Sequence, residues 1–259
     1  MPAKSTNRFD YETSATPLGV MPKDYPEGFE VGTHRHSRGQ LIYAASGLMK
    51  ISTDKALWIV PPQHALWMPP EIDHNMQAIR RATLRTLYVR PDMLPPSFPS
   101  HPTVIRVSPF LRELLLRAAM VPIDYAEGSQ DARILAALLG EIELACHAFD
   151  FCLAPARDKR LSRICDAIIS DPASDGSLED WASLVGTSSR TLARLFKKEF
   201  GVTFIAWRQQ VRIMLALPRL ASGEQITSIA ADLGYETPGA FTQMFRRLMG
   251  VAPSTYFQD

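Results

Sequence analysis

Residues 178 to 250 carry the same pattern twice. LEDWASLVG (178–186) aligns with ITSIAADLG (226–234): Leu178 falls on Ile226, Trp181 on Ile229, Ala182 on Ala230, Val185 on Leu233 and Gly186 on Gly234. Each copy continues into a second segment, RTLARLFKKEFG or GAFTQMFRRLMG. There Phe196 pairs with Phe245, Lys197 and Lys198 with Arg246 and Arg247, and Gly201 with Gly250. The offset grows from 48 to 49 between the two halves, so the second copy has a turn one residue longer. A helix, a glycine turn and a second helix form the helix-turn-helix pattern. Alanine is small where the two helices cross, and glycine suits a turn position of positive φ. In the first copy Leu192, Leu195 and Phe196 face the core, while Arg190, Arg194 and Lys197, at i, i+4 and i+7, share the opposite face. One such unit fits any helical bundle. Two, each with an aromatic anchor, a basic pair and a closing glycine, point to a DNA-binding face.

Bulk charge does not announce this. The chain carries 28 basic and 27 acidic side chains, a net charge of +1. Residues 1–155 hold 15 and 16, and residues 156–259 hold 13 and 11. The signal is local: Ser188 to Gly201 holds four cations against the single anion Glu199, and a basic stripe is the electrostatic footprint of nucleic-acid binding. Non-specific DNA packaging is disfavoured by the same low net charge.

From about Ala156 the chain resembles the AraC/XylS family of bacterial transcription regulators. The resemblance rests on IAADLGY (229–235), on FTQMFRRLMGVAPSTY (241–256), and on the link FIAWRQQVRIMLAL between the units. It implies two helix-turn-helix units on one DNA face, about 34 Å apart, each sending its second helix into a major groove. Carried over by position, the base-facing sites of the first unit are Arg190, Ala193 and Arg194, and those of the second Pro238, Gly239 and Gln243. Arginine reads guanine bidentately and glutamine prefers adenine, so Arg194, Arg190 and Gln243 are the expected base readers. Lys197, Lys198, Thr242, Arg246 and Arg247 are the expected phosphate contacts. The first unit then specifies sequence and the second mainly grips the backbone. Pro218 departs from the pattern: it should kink the linking helix or be absorbed near its end.

Residues 1–25 are polar and aperiodic and read as a flexible lead-in. From about Val31 to Arg90 come short β-rich runs, GQLIYAASG, LMKIST, ALWIVPP, HALWMPP and TLRTLYV, spaced as in a small barrel or sandwich. Tyr43, Trp58 and Trp67 read as barrel core. PDMLPPSFPSHP holds five prolines in twelve residues and marks a domain edge. Two amphipathic helices follow. The first begins at Ser108-Pro109 with Leu111, Leu114, Leu115 and Ala118 on one stripe; the second, 131–149, carries Ile134, Leu138, Ile142, Ala145 and Phe149. These stripes require a homodimer interface, the first reading, or packing on the barrel.

GTHRHSRGQLIYAASG (32–47) places His34 and His36 two apart, with Gln40 four residues later; WMPPEIDHNM supplies His74 at a strand start. This resembles the cupin metal motif, with glutamine where the motif has glutamate and with the glycine spacing of its second part missing. Three imidazoles and a carboxamide suit a divalent ion such as Zn²⁺, Ni²⁺, Mn²⁺ or Fe²⁺. The alternative is a metal-free pocket for an organic effector. His64, His101 and His147 are isolated and read as surface or packing residues.

The expected fold class is α+β: a flexible segment over 1–25, a cupin-like sensory barrel over 26–95, a linker with the two helices over 96–155, and a DNA-binding domain over 156–259 with motifs at 178–200 and 226–249. The expected function is a sequence-specific DNA-binding regulator responding to a small molecule or metal. Its expected partners are double-stranded DNA, the effector, a second copy and RNA polymerase. The rival is a metal-dependent cupin enzyme, dioxygenase or isomerase, with an appended DNA-binding domain. Gln40 and the lack of nucleophile-elbow or phosphate-loop motifs weigh against it. No run of eighteen apolar residues, no signal-peptide core and three unpatterned cysteines (Cys146, Cys152, Cys165) give the expectation of a reduced cytoplasmic protein without a membrane span.

Overall fold

The computed structural model describes residues 4–61, 63–145 and 156–257. The chain divides at residues 152/153 into two units. In the first, two long strands organise the rest. β3 (Gly39–Ser52) and β6 (His74–Val89) pair antiparallel from Gly39↔Val89 to Ser52↔Asn75. The runs GQLIYAASG and LMKIST are therefore one strand, not two. Gly47 between them is a bulge, where the register shifts repeatedly between Ala44 and Met49. Its φ is +85°, and a Cβ there would lie 2.1 Å from the Arg81 carbonyl oxygen, so only glycine fits.

Either side of this bend the ladder recruits different neighbours. On one half, β1 (Leu18–Tyr25) pairs with β6, β5 (His64–Met68) with β3, and β7 (Thr103–Arg106) with β5, giving the order β1-β6-β3-β5-β7. On the other half, β2 (Glu30–His34) pairs with β6 and β4 (Leu57–Val60) with β3. Tyr43, Trp58 and Trp67 are all buried, as core.

The sheet extends beyond the expected span of 26–95 at both ends. Residues 4–25 are not a loose lead-in: α1 (Arg8–Glu12) and β1 lie within them, with Tyr11, Leu18, Val20 and Met21 buried. β1 is an edge strand, where Pro22 costs no ladder bond to a further neighbour. The proline-rich stretch is largely irregular, yet it is no domain edge. The chain returns to the sheet as β7, driven by Val104 and Ile105, which are fully buried.

α2 (Pro109–Ala118) starts as expected, Ser108 Oγ accepting the Leu111 N–H with Pro109 in the first turn. α3 spans Gln130–Ala145; Phe149, His147, Cys146 and Cys152 lie outside the described residues. Both apolar stripes are used inside the unit. Leu111, Leu115 and Ala118 of α2, with Leu135, Leu138 and Ile142 of α3, join Leu18, Leu41, Leu87 and Ile105 of the sheet in one core. Packing on the sheet, rather than a free dimer face, is what these stripes do.

The second unit is helical: α4 (Lys159–Ser170), α5 (Leu178–Leu184), α6 (Ser189–Phe200), α7 (Phe204–Ala221), α8 (Ile226–Asp232) and α9 (Pro238–Met249). α7 is central. Trp207 and Val211 share a core with Phe196, Leu161 and Ile164, and each such large side chain stabilises by roughly 1.5–3 kcal/mol. Pro218 sits inside α7, but the helix runs on to Ala221. Pro218 lacks the N–H that would bond the Met214 carbonyl, a single lost bond within one turn of the helix end, and the helix continues past it. Among the described residues no helix is long and apolar enough to cross a membrane. Cys165 is buried and free.

Replacing Gly47 with alanine should cost about 3 kcal/mol or more, since it forces both a positive φ and a backbone shift. Gly28→Ala, at φ +76° with open space around it, should cost about 1–2 kcal/mol. Urea denaturation of the two variants measures the difference; equal losses would contradict a bend that depends on close approach.

Candidate effector site and nucleic-acid interface

The bent ladder places the histidines. His34 ends β2 directly opposite His74, the first residue of β6. His36 lies two residues beyond the strand, and its carbonyl accepts the Glu71 N–H at 2.8 Å. Glu71 has a φ of 62°, a left-handed conformation uncommon for a residue with a side chain. The three ligating atoms of His34, His36 and His74 lie within 4.8 Å of one another. Ring centroids are 4.4 Å apart for His34–His74 and 4.9 Å for His34–His36.

Each ring is oriented by a hydrogen bond at Nδ1. The acceptors are the Gly32 carbonyl for His34 (2.7 Å), Glu12 Oε1 for His36 (2.5 Å) and the Ile72 carbonyl for His74 (2.9 Å). Facing acceptors, Nδ1 carries the proton in each neutral ring, which leaves Nε2 a lone pair. Nε2 of His36 and of His74 are buried with no hydrogen-bond partner among the described residues. Burial, then the neighbouring charges of His34 and Arg8, hold His36 at about 3; burial holds His74 at about 4. Protonating these rings is therefore not how the buried lone pairs are satisfied near neutral pH. Oriented imidazoles with an outer carboxylate or carbonyl are the arrangement that holds a divalent metal ion, and this donor set fits one. Gln40 lines the adjoining cavity, donating Nε2–H to Tyr88 Oη at 3.3 Å, with Oε1 buried and unpartnered among the described residues.

Glu12 was not legible as part of this site. It is carried by the N-terminal arm, which several long-range contacts secure. Buried Arg38 donates to the carbonyls of Glu12 (3.2 Å), Ser14 and Thr16 (2.9 Å). Tyr11 stacks on Tyr88 at 5.7 Å. Lys4 Nζ reaches the Ala118 and Ala119 carbonyls at 3.2 and 2.9 Å. Burial raises the Glu12 carboxyl, opposed by Arg8, so with His36 neutral their contact is a hydrogen bond rather than an ion pair. His64 is buried and held at about 4 by desolvation, and His101 is exposed, each apart from the cluster.

In the second unit the two repeats share their local geometry. Gly186 and Gly234 take φ of 68° and 76°, and Gly201 and Gly250 cap their helices at 71° and 84°. Thr187 N donates to Ala182 O and Tyr235 N to Ala230 O, both at 2.9 Å. Ser188 and Thr237 are the N-caps of α6 and α9, each accepting the N–H three residues on at 3.2 Å. That equivalence corrects the register: Ala193 corresponds to Thr242, and Pro238 to Ser189. Thr242, expected on a phosphate, stands where the first unit has a base-facing position. Arg190, Ala193, Arg194, Lys197 and Lys198 are exposed on α6, and Pro238, Gly239, Gln243, Arg246 and Arg247 on α9; Thr242 is half-buried. Lys197 Nζ donates to the Gly201 carbonyl at 2.7 Å and Arg247 to Gln209 Oε1 at 3.2 Å. Glu199, the lone anion of the stripe, accepts the N–H groups of Arg157 and Asp158 ahead of α4.

The connector 171–176 joins both repeats. Arg208 of α7 donates to the Gly176 (3.1 Å) and Ser174 carbonyls, and Arg212 to that of Pro172 at 3.0 Å while lying 5.0 Å over the Tyr235 ring. Trp181 Nε1 donates to Gly176 O at 3.1 Å. A Cβ on Gly234 would fall 2.7 Å from the backbone of Ala173.

Residues 23–180 match the family model of the AraC-like ligand binding domain, and 181–259 match a helix-turn-helix domain. The chain belongs to the AraC family of transcription regulators. It is 31% identical over 223 residues to the HTH-type transcriptional regulator NimR of Escherichia coli (strain K12), covering 86% of this chain and 81% of that one. Over 103 residues it is 35% identical to the HTH-type transcriptional regulator RipA of Corynebacterium glutamicum, covering 40% and 30%. ToxT from Vibrio cholerae aligns over 93% of this chain and 98% of its own, at 12% identity and a TM-score of 0.40. As an AraC-family regulator it joins an N-terminal ligand-binding domain to a C-terminal helix-turn-helix DNA-binding domain.

The buried neutral histidines make stability pH-dependent. Folded values of about 3 to 4 for His36, His64 and His74 lie below the ordinary 6.5. Below 6.5 the unfolded rings therefore bind protons that the folded rings refuse, so stability is full above that value and declines as pH falls toward 4. In chelator-treated protein, amide-exchange protection of β3 and β6 should fall steadily from pH 7 to pH 5, after correction for intrinsic exchange. A flat profile would contradict neutral burial.

Proposed function

We propose that the chain is a homodimeric, sequence-specific regulator that reads DNA mainly through α6, grips phosphates mainly through α9, and is controlled by an effector site in which His34, His36 and His74 hold a divalent transition metal. The observation carrying the effector reading is the convergence of three imidazoles, each anchored at Nδ1, with the Nε2 atoms of His36 and His74 buried and unpartnered among the described residues. Zn²⁺, Ni²⁺, Mn²⁺ and Fe²⁺ are the ions such a set favours, with Gln40 near the group and Glu12 orienting His36. Held by these residues, such an ion would supply a fixed positive charge beside the cavity. Effector occupancy alters DNA binding only as far as it favours one state of the protein. A second copy and RNA polymerase are the further partners in this reading, and the cytoplasm its compartment. Phe110 and Leu144, 60% and 72% exposed on α2 and α3, support a face for the second copy.

The enzyme alternative would use the same three imidazoles, but the relative matched along most of this chain is a transcription regulator. Elemental analysis of untagged protein should find about one transition-metal ion per chain, absent from a His34→Ala/His36→Ala variant. Glu12→Gln should weaken metal affinity roughly 10–100-fold. Full retention of metal by the double variant would sink the centre.

On the DNA side, Arg194, Arg190 and Gln243 are the base readers, and Lys197, Lys198, Arg246 and Arg247 the phosphate contacts. Arg194→Ala should cost about 1–3 kcal/mol and relax preference at one base pair, whereas Arg246→Ala should weaken all sequences alike and reduce the salt slope by about 1. Selection from a randomised duplex library, followed by salt titration, measures both. Identical uniform losses would refute the division between the helices.

A further inference from the structure

The cavity beside the histidines, about 380 Å³, has two electrostatic sides. His34 and Gln40 present acceptors to it, among them the buried, unpartnered Gln40 Oε1. Its walls carry two cations, Arg8 from α1 and Lys23 from β1. Among the described residues neither has a hydrogen-bond or ion-pair partner. Each lies over an aromatic ring instead: Arg8 Cζ is 5.0 Å from the Phe9 centroid, and Lys23 Nζ is 5.2 Å from the Tyr25 centroid. A cation in a partly enclosed site ordinarily finds an acid. The lining's one acid, Glu30, is exposed and accepts Gln77 Nε2–H at 3.0 Å.

The remaining surface is aromatic. Phe9 and Phe29 are 56% and 46% exposed, and the Phe29 ring tilts against Tyr25 at 5.4 Å. Phenyl groups left this open around a concave site mark surface that a ligand covers. The volume lies at the small end of ligand pockets and suits a one- or two-ring molecule.

We propose that this cavity binds a small aromatic carboxylate, its ring among Phe9, Tyr25 and Phe29 and its carboxylate between Arg8 and Lys23. Paired acceptor oxygens satisfy the fork of a guanidinium and the point charge of an ammonium together. A neutral ring would leave both cations without an ion-pair partner among the described residues, Glu12 acting on Arg8 only through its field. The inference rests on the N-terminal unit being the effector domain and deepens that reading by naming the ligand's class; it does not require the metal.

The test is calorimetric titration of the full chain with benzoate and with its neutral isostere benzamide. Benzoate should bind with a Kd of about 1 mM or tighter, and benzamide at least tenfold more weakly. Arg8→Gln and Lys23→Gln should each lose about tenfold for benzoate, the scale of one charge-assisted hydrogen bond, with benzamide binding and melting temperature unmoved. Equal binding of the two probes overturns the inference. So does an Arg8→Gln/Lys23→Gln variant that binds benzoate like the parent, or no benzoate binding at roughly tenfold above that Kd. Metal content of the same preparations separates the two readings. A metal-free chain that still prefers benzoate keeps the anion site and removes the metal centre. A metal-loaded chain without the preference does the reverse.

Discussion

The ladder between β3 and β6 is the constraint from which the N-terminal unit follows. Because β6 pairs with β2 at one end and with β1 at the other, one strand carries both the histidine cluster and the wall of the cavity. Its register sets His74 against His34 and Tyr88 against Gln40. A slip of one residue would turn every one of these side chains to the other face. The bend at Gly47 lets a single pair of strands do this, since a flat ladder would send its two halves to different surfaces.

The site is assembled from distant pieces of chain: residue 12, residues 34–36, residue 40 and residue 74. Nothing local holds them together. Arg38 and the Tyr11–Tyr88 stack do so from the arm, and the left-handed Glu71 does so from the turn before β6. A buried guanidinium left without its three backbone carbonyls would be desolvated and unpaired, at a high cost, so the arm is ordered by bonds that its own polar sequence does not reveal.

That contrast explains what could be read from the sequence. The repeats were legible because their determinants are short-range: a glycine at a positive-φ turn, an aromatic anchor, a basic pair and a closing glycine. The histidines were legible because two are spaced two residues apart and the third follows a turn. Glu12 was hidden because its partner is 24 residues away and its surroundings look like a tail. β7 was hidden behind prolines that argued for a boundary. The stripes on α2 and α3 announced that a face is buried, but amphipathicity does not name the surface that buries it. The base-facing set Pro238, Gly239 and Gln243 did not keep the offset of 49 that the second helices themselves carry, and the N-caps Ser188 and Thr237 make plain that Thr242 is the counterpart of Ala193.

The close approach of Ala173 to Gly234 has a genetic consequence. The connector that would be displaced by a side chain at 234 is the same one whose carbonyls receive Arg208, Arg212 and Trp181. A defect created in the second turn would therefore be felt by the first repeat. Its suppressors would arise outside the second motif, in residues 171–176 or in the two arginines of α7, where the displaced backbone could be given room. The two DNA-binding units are, in this sense, one heritable element.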